Sequence, residues 1–95
     1  INLYAKTVAP TLKANGFMIV PNPVRNTFSI QHYLAPTNLR GVGFYNAAGQ
    51  RLMYQSYNGN ADSYLNFNIS RFAAGVYFVK MEYTNKTITE RIIKL

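Results

Sequence analysis

Polar and apolar side chains alternate with a period of two along several short stretches of this 95-residue chain. The clearest stretch is residues 64–69, where Leu65, Phe67 and Ile69 alternate with two asparagines. Successive side chains of a β-strand point to opposite faces of its sheet, so this pattern predicts a strand with one buried face and one wet face. Shorter alternating or apolar stretches lie at residues 17–20, 27–31, 42–44 and 51–55.

A strongly apolar stretch follows Gly75. Residues 76–81 carry β-branched and aromatic side chains on both faces, which is typical of a strand in the middle of a sheet. A polar break at residues 84–86 then separates this stretch from residues 87–95, which we interpret as its hairpin partner. The last residues of the sequence are therefore expected to belong to the fold and not to a frayed end.

Glycine, proline and asparagine separate the apolar stretches, and Gly49 is expected at positive φ in a hairpin turn. About seven short strands with regular turn signals predict an all-β protein, an immunoglobulin-like antiparallel β-sandwich, with a small barrel as the structural alternative. Residues 1–14 show no clear period and are interpreted as a linker or the end of an upstream protein, with residues 15–95 as the domain. Because Ile1 is not an initiator methionine and no signal core follows it, the chain is expected to be a piece of a longer protein.

The composition limits the chemistry that the chain is expected to perform. Without cysteine it has no disulfides and no thiolate metal site or nucleophile. Its net charge of +7 favours acidic partners, although the basic residues stand singly, as on solvated strand faces. No apolar run approaches the ~20 residues that a membrane-spanning helix needs.

Few side chains are suited to catalysis. The carboxylates are Asp62, Glu82 and Glu90, of which the last two lie on the arms of the final hairpin, where they could approach each other, although surface ion pairs are the expected role. His32 is the only histidine and is expected at a strand end on the surface. We therefore predict no enzyme activity, no metal and no cofactor.

Tyrosine is frequent, and Tyr54, Tyr57 and Tyr64 flank one predicted loop. Exposed tyrosines stack on sugar rings, so a carbohydrate-binding or adhesive sandwich module of a secreted enzyme is one alternative function. A fibronectin-like spacer is a second alternative, and a nucleic-acid binder is a third, although no nucleic acid is expected as a partner.

Four motifs in order indicate a family. The chain carries Pro21-Asn22-Pro23 within residues 20–24, an aromatic hairpin at residues 44–46 with Gly49, the strand of residues 75–81, and an aliphatic and basic end at residues 88–94. In these motifs it resembles the type A C-terminal sorting domain of proteins exported by the type IX secretion system of Gram-negative bacteria. The residues that carry the resemblance are Pro21, Asn22, Pro23, Gly49, Gly75, Tyr77, Lys80, Arg91, Ile92, Ile93 and Lys94.

The resemblance implies a sorting signal attached behind a secreted passenger. It implies recognition by outer-membrane secretion machinery and a shuttle protein, passage through the periplasm, and removal by a surface sortase-like peptidase before the passenger is secreted or held at the cell surface by an anionic lipopolysaccharide anchor. The expected cleavage region contains Ala9, Pro10, Lys13, Ala14 and Asn15.

A recognition mechanism can also be predicted for the final hairpin. We expect Lys80, Arg91 and Lys94 to lie beside unpaired edge backbone, so that a receptor binds by strand addition with charge steering. The same free edge would allow self-association of two copies.

Overall fold

The computed structural model describes residues 16–33 and 36–95, and within these ranges all regular structure is β-strand. This confirms the all-β prediction. The same residues contain no helix that is long and apolar enough to cross a membrane. The strands are β1 (Phe17–Val20), β2 (Thr27–His32), β3 (Leu39–Asn46), β4 (Arg51–Ser56), β5 (Tyr64–Asn68), β6 (Gly75–Tyr83) and β7 (Thr87–Lys94).

The strands form two antiparallel sheets that pack face to face. The small sheet has the order β1-β2-β5, and the large sheet has the order β4-β3-β6-β7. The pairings between strands do not join one sheet to the other, so the described part of the chain is the predicted sandwich and not the barrel. Each sheet turns one apolar face inward to form the core, because alternate side chains of each strand share a face.

Aromatic rings fill the centre of the core. Phe44 of β3 lies 4.9 Å from Tyr77 of β6, measured between ring centroids, and 6.2 Å from Phe28 of the opposite sheet. Phe67 lies on the same face of β5 as Leu65 and Ile69, as predicted; it is half-buried on this edge strand, and its ring stacks on Phe28 at 5.3 Å. Of these contacts, the one between Phe28 and Phe44 joins the two sheets.

Strand β6 is central, as predicted, because it pairs with β3 on one side and β7 on the other. Its residues Tyr77, Val79 and Met81 are buried in the core. The intervening residues point outward, and Val76 is 38% exposed. The side chains on one face of β6 therefore pack in the core, and those on the other face are open to solvent.

A tyrosine closes the corner between β5 and β6. The Tyr77 hydroxyl donates a hydrogen bond of 2.6 Å to the main-chain oxygen of Ala73, four residues earlier. A tyrosine at the start of the sixth strand that bonds back to the preceding corner is a feature of immunoglobulin-like sandwiches. Tyr77 thus fixes the start of the strand that leads into the final hairpin.

Candidate functional site

The first and last motifs meet in the folded chain. The segment of residues 21–24, called here the edge clamp, links β1 to β2 and runs along the free edge of β7. The Val24 N–H donates to the Ile93 oxygen at 2.7 Å, and the Leu95 N–H donates to the Val24 oxygen at 2.7 Å. These two bonds form a short parallel bridge between Val24 and Lys94.

The Asn22 side chain continues this pairing. Its Nδ2 donates to the Arg91 oxygen at 3.4 Å, and its Oδ1 accepts the Ile93 N–H at 3.2 Å. A carboxamide offers a donor and an acceptor on one plane, as a peptide group does, so it can substitute for a peptide group of a neighbouring strand. The flanking Pro21 and Pro23 have no N–H to pair, which leaves this role to the side chain.

The predicted open edge is therefore only partly present. Over residues 91–95 the edge of β7 is occupied by the clamp, so the expectation of unpaired backbone is wrong for that part. The backbone N–H and C=O groups of Thr89 point toward the same edge of the large sheet as those of Arg91 and Ile93. Among residues 16–33 and 36–95 they have no hydrogen-bond partner. Self-association through an edge strand stays a prediction.

Lys94 does not present its charge to solvent, contrary to the prediction. Its side chain is only 7% exposed, and its Nζ donates to the main-chain oxygen of Leu95 at 3.3 Å. The reason is register, since Ile92 and Lys94 share the inner face of β7 whereas Arg91 and Ile93 point outward. Of the two basic residues of β7, Arg91 is the one that is exposed.

Lys80 and Arg91 both lie on the outer face of the large sheet. The Nζ of Lys80 is 4.8 Å from the centroid of the Tyr45 ring, which is the geometry of a cation–π contact. Arg91 is exposed and pairs in register with Phe78 of β6. The hairpin therefore brings these two predicted motif residues to one surface.

Two motif glycines occupy turns. Gly49 has φ of 88°, as predicted, in the hairpin turn where the Asn46 Oδ1 accepts the N–H groups of Ala48 and Gln50. Gly75 has φ of 154°, which lies in the range that favours glycine, and it begins β6. These glycines shape the turns that lead into β4 and β6.

The three tyrosines of the alternative sugar platform do not come together. Tyr54 lies on the large sheet and Tyr64 on the small one, while Tyr57 packs against the core. The Tyr54 hydroxyl donates to Glu82 Oε1 at 2.8 Å, and this bond to a carboxylate raises the pKa of Tyr54. The predicted platform is therefore absent from the described residues.

The candidate ionisable groups are also separated. Glu82 and Glu90 lie on opposite faces of the large sheet, so the hairpin does not bring these two carboxylates together. His32 ends β2, as predicted, but it is half-buried and not exposed on the surface, and its Nε2 lies 2.9 Å from the Tyr83 hydroxyl of the other sheet. Burial lowers the pKa of His32 and raises that of Tyr83 to about 12, so both groups favour their neutral forms.

A metal site does not appear in the part of the chain that the structure describes, where no group of three His, Asp or Glu side chains comes together. The predicted cleavage residues Ala9, Pro10, Lys13, Ala14 and Asn15 lie outside the described residues.

Sequence reasoning missed the clamp. Residues 20–24 were assigned to the first motif of the family, but no contact with the final strand was predicted for them, and the full burial of Val24 was not foreseen. A signal was nonetheless present, because an asparagine between two residues that cannot donate a backbone hydrogen bond is suited to pair through its side chain. The partner strand could not be identified, since Asn22 and Ile93 are 71 positions apart.

Replacement of Asn22 tests the clamp. Asn22→Ala removes both side-chain bonds to β7, and we expect it to lower the free energy of unfolding by about 1–2 kcal/mol. Asn22→Asp keeps the acceptor but loses the donor to the Arg91 oxygen, so it should also destabilise. Thermal denaturation should show a midpoint lowered by about 4–15 °C. Asn66→Ala, on the exposed outer face of β5, is the matched control, and equal midpoints for Asn22→Ala and Asn66→Ala would contradict the role of the clamp.

Comparison with known proteins identifies a family whose matched range includes both of these motifs. A family model described as the secretion system C-terminal sorting domain matches residues 18–95, a range that contains the edge clamp and the final hairpin. A search of curated proteins finds no match. The family's domains are the C-terminal sorting signals of type IX secretion, and they imply interaction with the type IX machinery and export to the cell surface or secretion. With the match spanning all but the first residue of the seven-strand sandwich, this chain belongs to the family of secretion system C-terminal sorting domains.

Proposed function

We propose that the type IX machinery recognises this domain in its folded form, and that the recognised feature is the final hairpin with its edge held by the clamp. The observation that supports the proposal is the pairing of Asn22 and Val24 with β7. The Pro-Asn-Pro motif and the C-terminal motif lie at opposite ends of the domain sequence, so they form one surface only after folding. A signal composed of both motifs is a three-dimensional signal.

The proposal includes the route by which the domain is exported and removed. The domain follows a passenger into the periplasm, a shuttle protein carries it from the outer-membrane translocon to a surface sortase-like peptidase, and the peptidase cuts within residues 9–15. The domain itself contributes recognition and no catalysis. Support comes from the placement of the predicted cleavage region directly before β1, at the border of the folded sandwich.

A reporter fusion tests this function. A secreted fluorescent protein is joined upstream of residues 1–95 and expressed in a bacterium with a type IX system. We expect the reporter on the cell surface or in the medium, with a new C-terminus that mass spectrometry places within residues 9–15. There are two controls: the same reporter without residues 1–95, and the fusion in a strain that lacks the translocon. In both, the reporter should not cross the outer membrane. A fusion that stays in the periplasm of the complete strain would overturn the proposal.

A further inference from the structure

An exposed apolar patch lies on the outer face of the large sheet, over the final hairpin. Val76 of β6 and Ile93 of β7 are direct cross-strand partners, and they are 38% and 39% exposed. Phe78, two residues along β6, is half-buried and has Tyr45 of β3 as its neighbour in register. We name these four residues, Tyr45, Val76, Phe78 and Ile93, the outer patch. Apolar side chains grouped in this way on a sheet face commonly mark a contact with a partner.

Positive charge surrounds the outer patch. Arg91 pairs in register with Phe78 on one side, Lys80 is the next outward residue of β6, and Arg51 pairs with Tyr45 on the far side. Glu82 is the one carboxylate among the outward-facing residues of the large sheet that the structure describes, and it already accepts the Tyr54 hydroxyl bond. An apolar centre with a cationic rim is complementary to a surface with an apolar centre and a carboxylate rim.

Two tyrosine rings on this face, Tyr45 of the outer patch and Tyr54 near it, are not arranged for stacking on sugars. The Tyr54 ring covers Gly41, where a Cβ atom would overlap its hydroxyl, and the Tyr45 ring covers Gly43 in the same way. Arg51 lies 4.8 Å from the Tyr54 centroid, and Lys80 lies 4.8 Å from that of Tyr45. Each ring therefore lies close to the sheet and already contacts a cation. A sugar would have to displace these cations, whereas a carboxylate would add to them.

The clamp on the edge of β7 also favours the outer face of the large sheet as the contact surface. Strand addition cannot use residues 91–95 while the clamp holds them, so a receptor that reaches the end of the hairpin meets the outer side chains Arg91 and Ile93 instead. We propose that the outer patch is the docking surface for a protein of the export machinery whose own contact surface is apolar at its centre and acidic at its rim. This inference rests on the proposed function and assigns a contact surface to it.

Changes of charge in the outer patch and at its rim test the docking surface. Val76→Glu places a carboxylate in the apolar centre, and Arg91→Glu reverses the rim. Both positions are outward and exposed, so thermal denaturation of the purified domains should show midpoints close to that of the unchanged domain. We expect each variant to lower surface delivery of the reporter fusion at least tenfold, and Arg91→Lys to restore most of it. Tyr64→Glu, exposed on the outer face of the small sheet, is the matched control and should leave delivery unchanged.

The outcomes separate this inference from the proposed function. If the unchanged fusion is not exported, the proposed function fails. If it is exported and Val76→Glu and Arg91→Glu are exported equally well, the docking surface is wrong while the function stands. Binding to vesicles of anionic phospholipid supplies a second arm: if these variants weaken vesicle binding but leave binding to the solubilised translocon unchanged, the partner is a membrane and the proposal is overturned.

Discussion

Deletion of residues 92–95 is expected to unfold the domain and to abolish export. Ile92 is only 1% exposed, and loss of a buried isoleucine side chain alone costs about 2–5 kcal/mol. The deletion also removes the backbone partners of Gly75 and Tyr77 on β6 and both Val24 bonds. Because small domains are stable by only about 5–15 kcal/mol, the shortened domain should lose most or all of its cooperative transition.

Urea unfolding, followed by circular dichroism, measures the loss of stability of the shortened domain. The reporter fusion measures the loss of export. Leu95→Ala is the control, since it keeps the backbone N–H that bonds to Val24 and changes a side chain that is exposed. It should unfold and be exported like the unchanged domain. A truncated fusion that still reaches the cell surface would show that the signal does not require the end of the hairpin.

Phe44→Ala is expected to destabilise the domain strongly without changing an exposed side chain, because Phe44, although it belongs to the motif of residues 44–46, is buried. Phe44 is buried at the centre of the core, where its ring contacts those of Phe28, Phe72 and Tyr77. Removal of a buried phenylalanine side chain costs about 3–5 kcal/mol, so the thermal midpoint should fall by more than about 10 °C. Tyr33→Ala, at a highly exposed position, should change the midpoint little.

The same variant decides whether the machinery requires a folded signal. If it does, delivery of the Phe44→Ala fusion should fall as the growth temperature approaches the lowered midpoint, while the Tyr33→Ala fusion is delivered normally. Delivery of an unfolded Phe44→Ala domain at the normal level would mean that the machinery recognises a linear segment, and the three-dimensional signal would be excluded.

Local patterns in the sequence were sufficient for most of the strands. The alternation of residues 64–69 predicted β5 with Leu65 and Ile69 inward, and both are buried. The turn at Gly49 and the central position of β6 were likewise predicted from nearby residues. These features depend on side-chain size and backbone freedom within a few residues, which the sequence states directly.

Predictions failed where a residue's environment came from a distant strand. His32 was expected at a strand end on the surface, yet Tyr83 of the other sheet lies against it. Lys94 was expected to present its charge beside an unpaired strand edge, yet the register of β7 turns it inward beside Ile92. Charge type alone could not indicate either position.

By itself, the sequence determined the all-β class, the order and approximate bounds of the strands, and the four motifs of the sorting family, because each depends on a local period or a short run of residues. Only the tertiary structure decided that the Pro-Asn-Pro segment closes the edge of β7 and that Val76, Phe78 and Ile93 share an exposed face. Those facts depend on which strands become neighbours, and burial of the whole core chooses the neighbours.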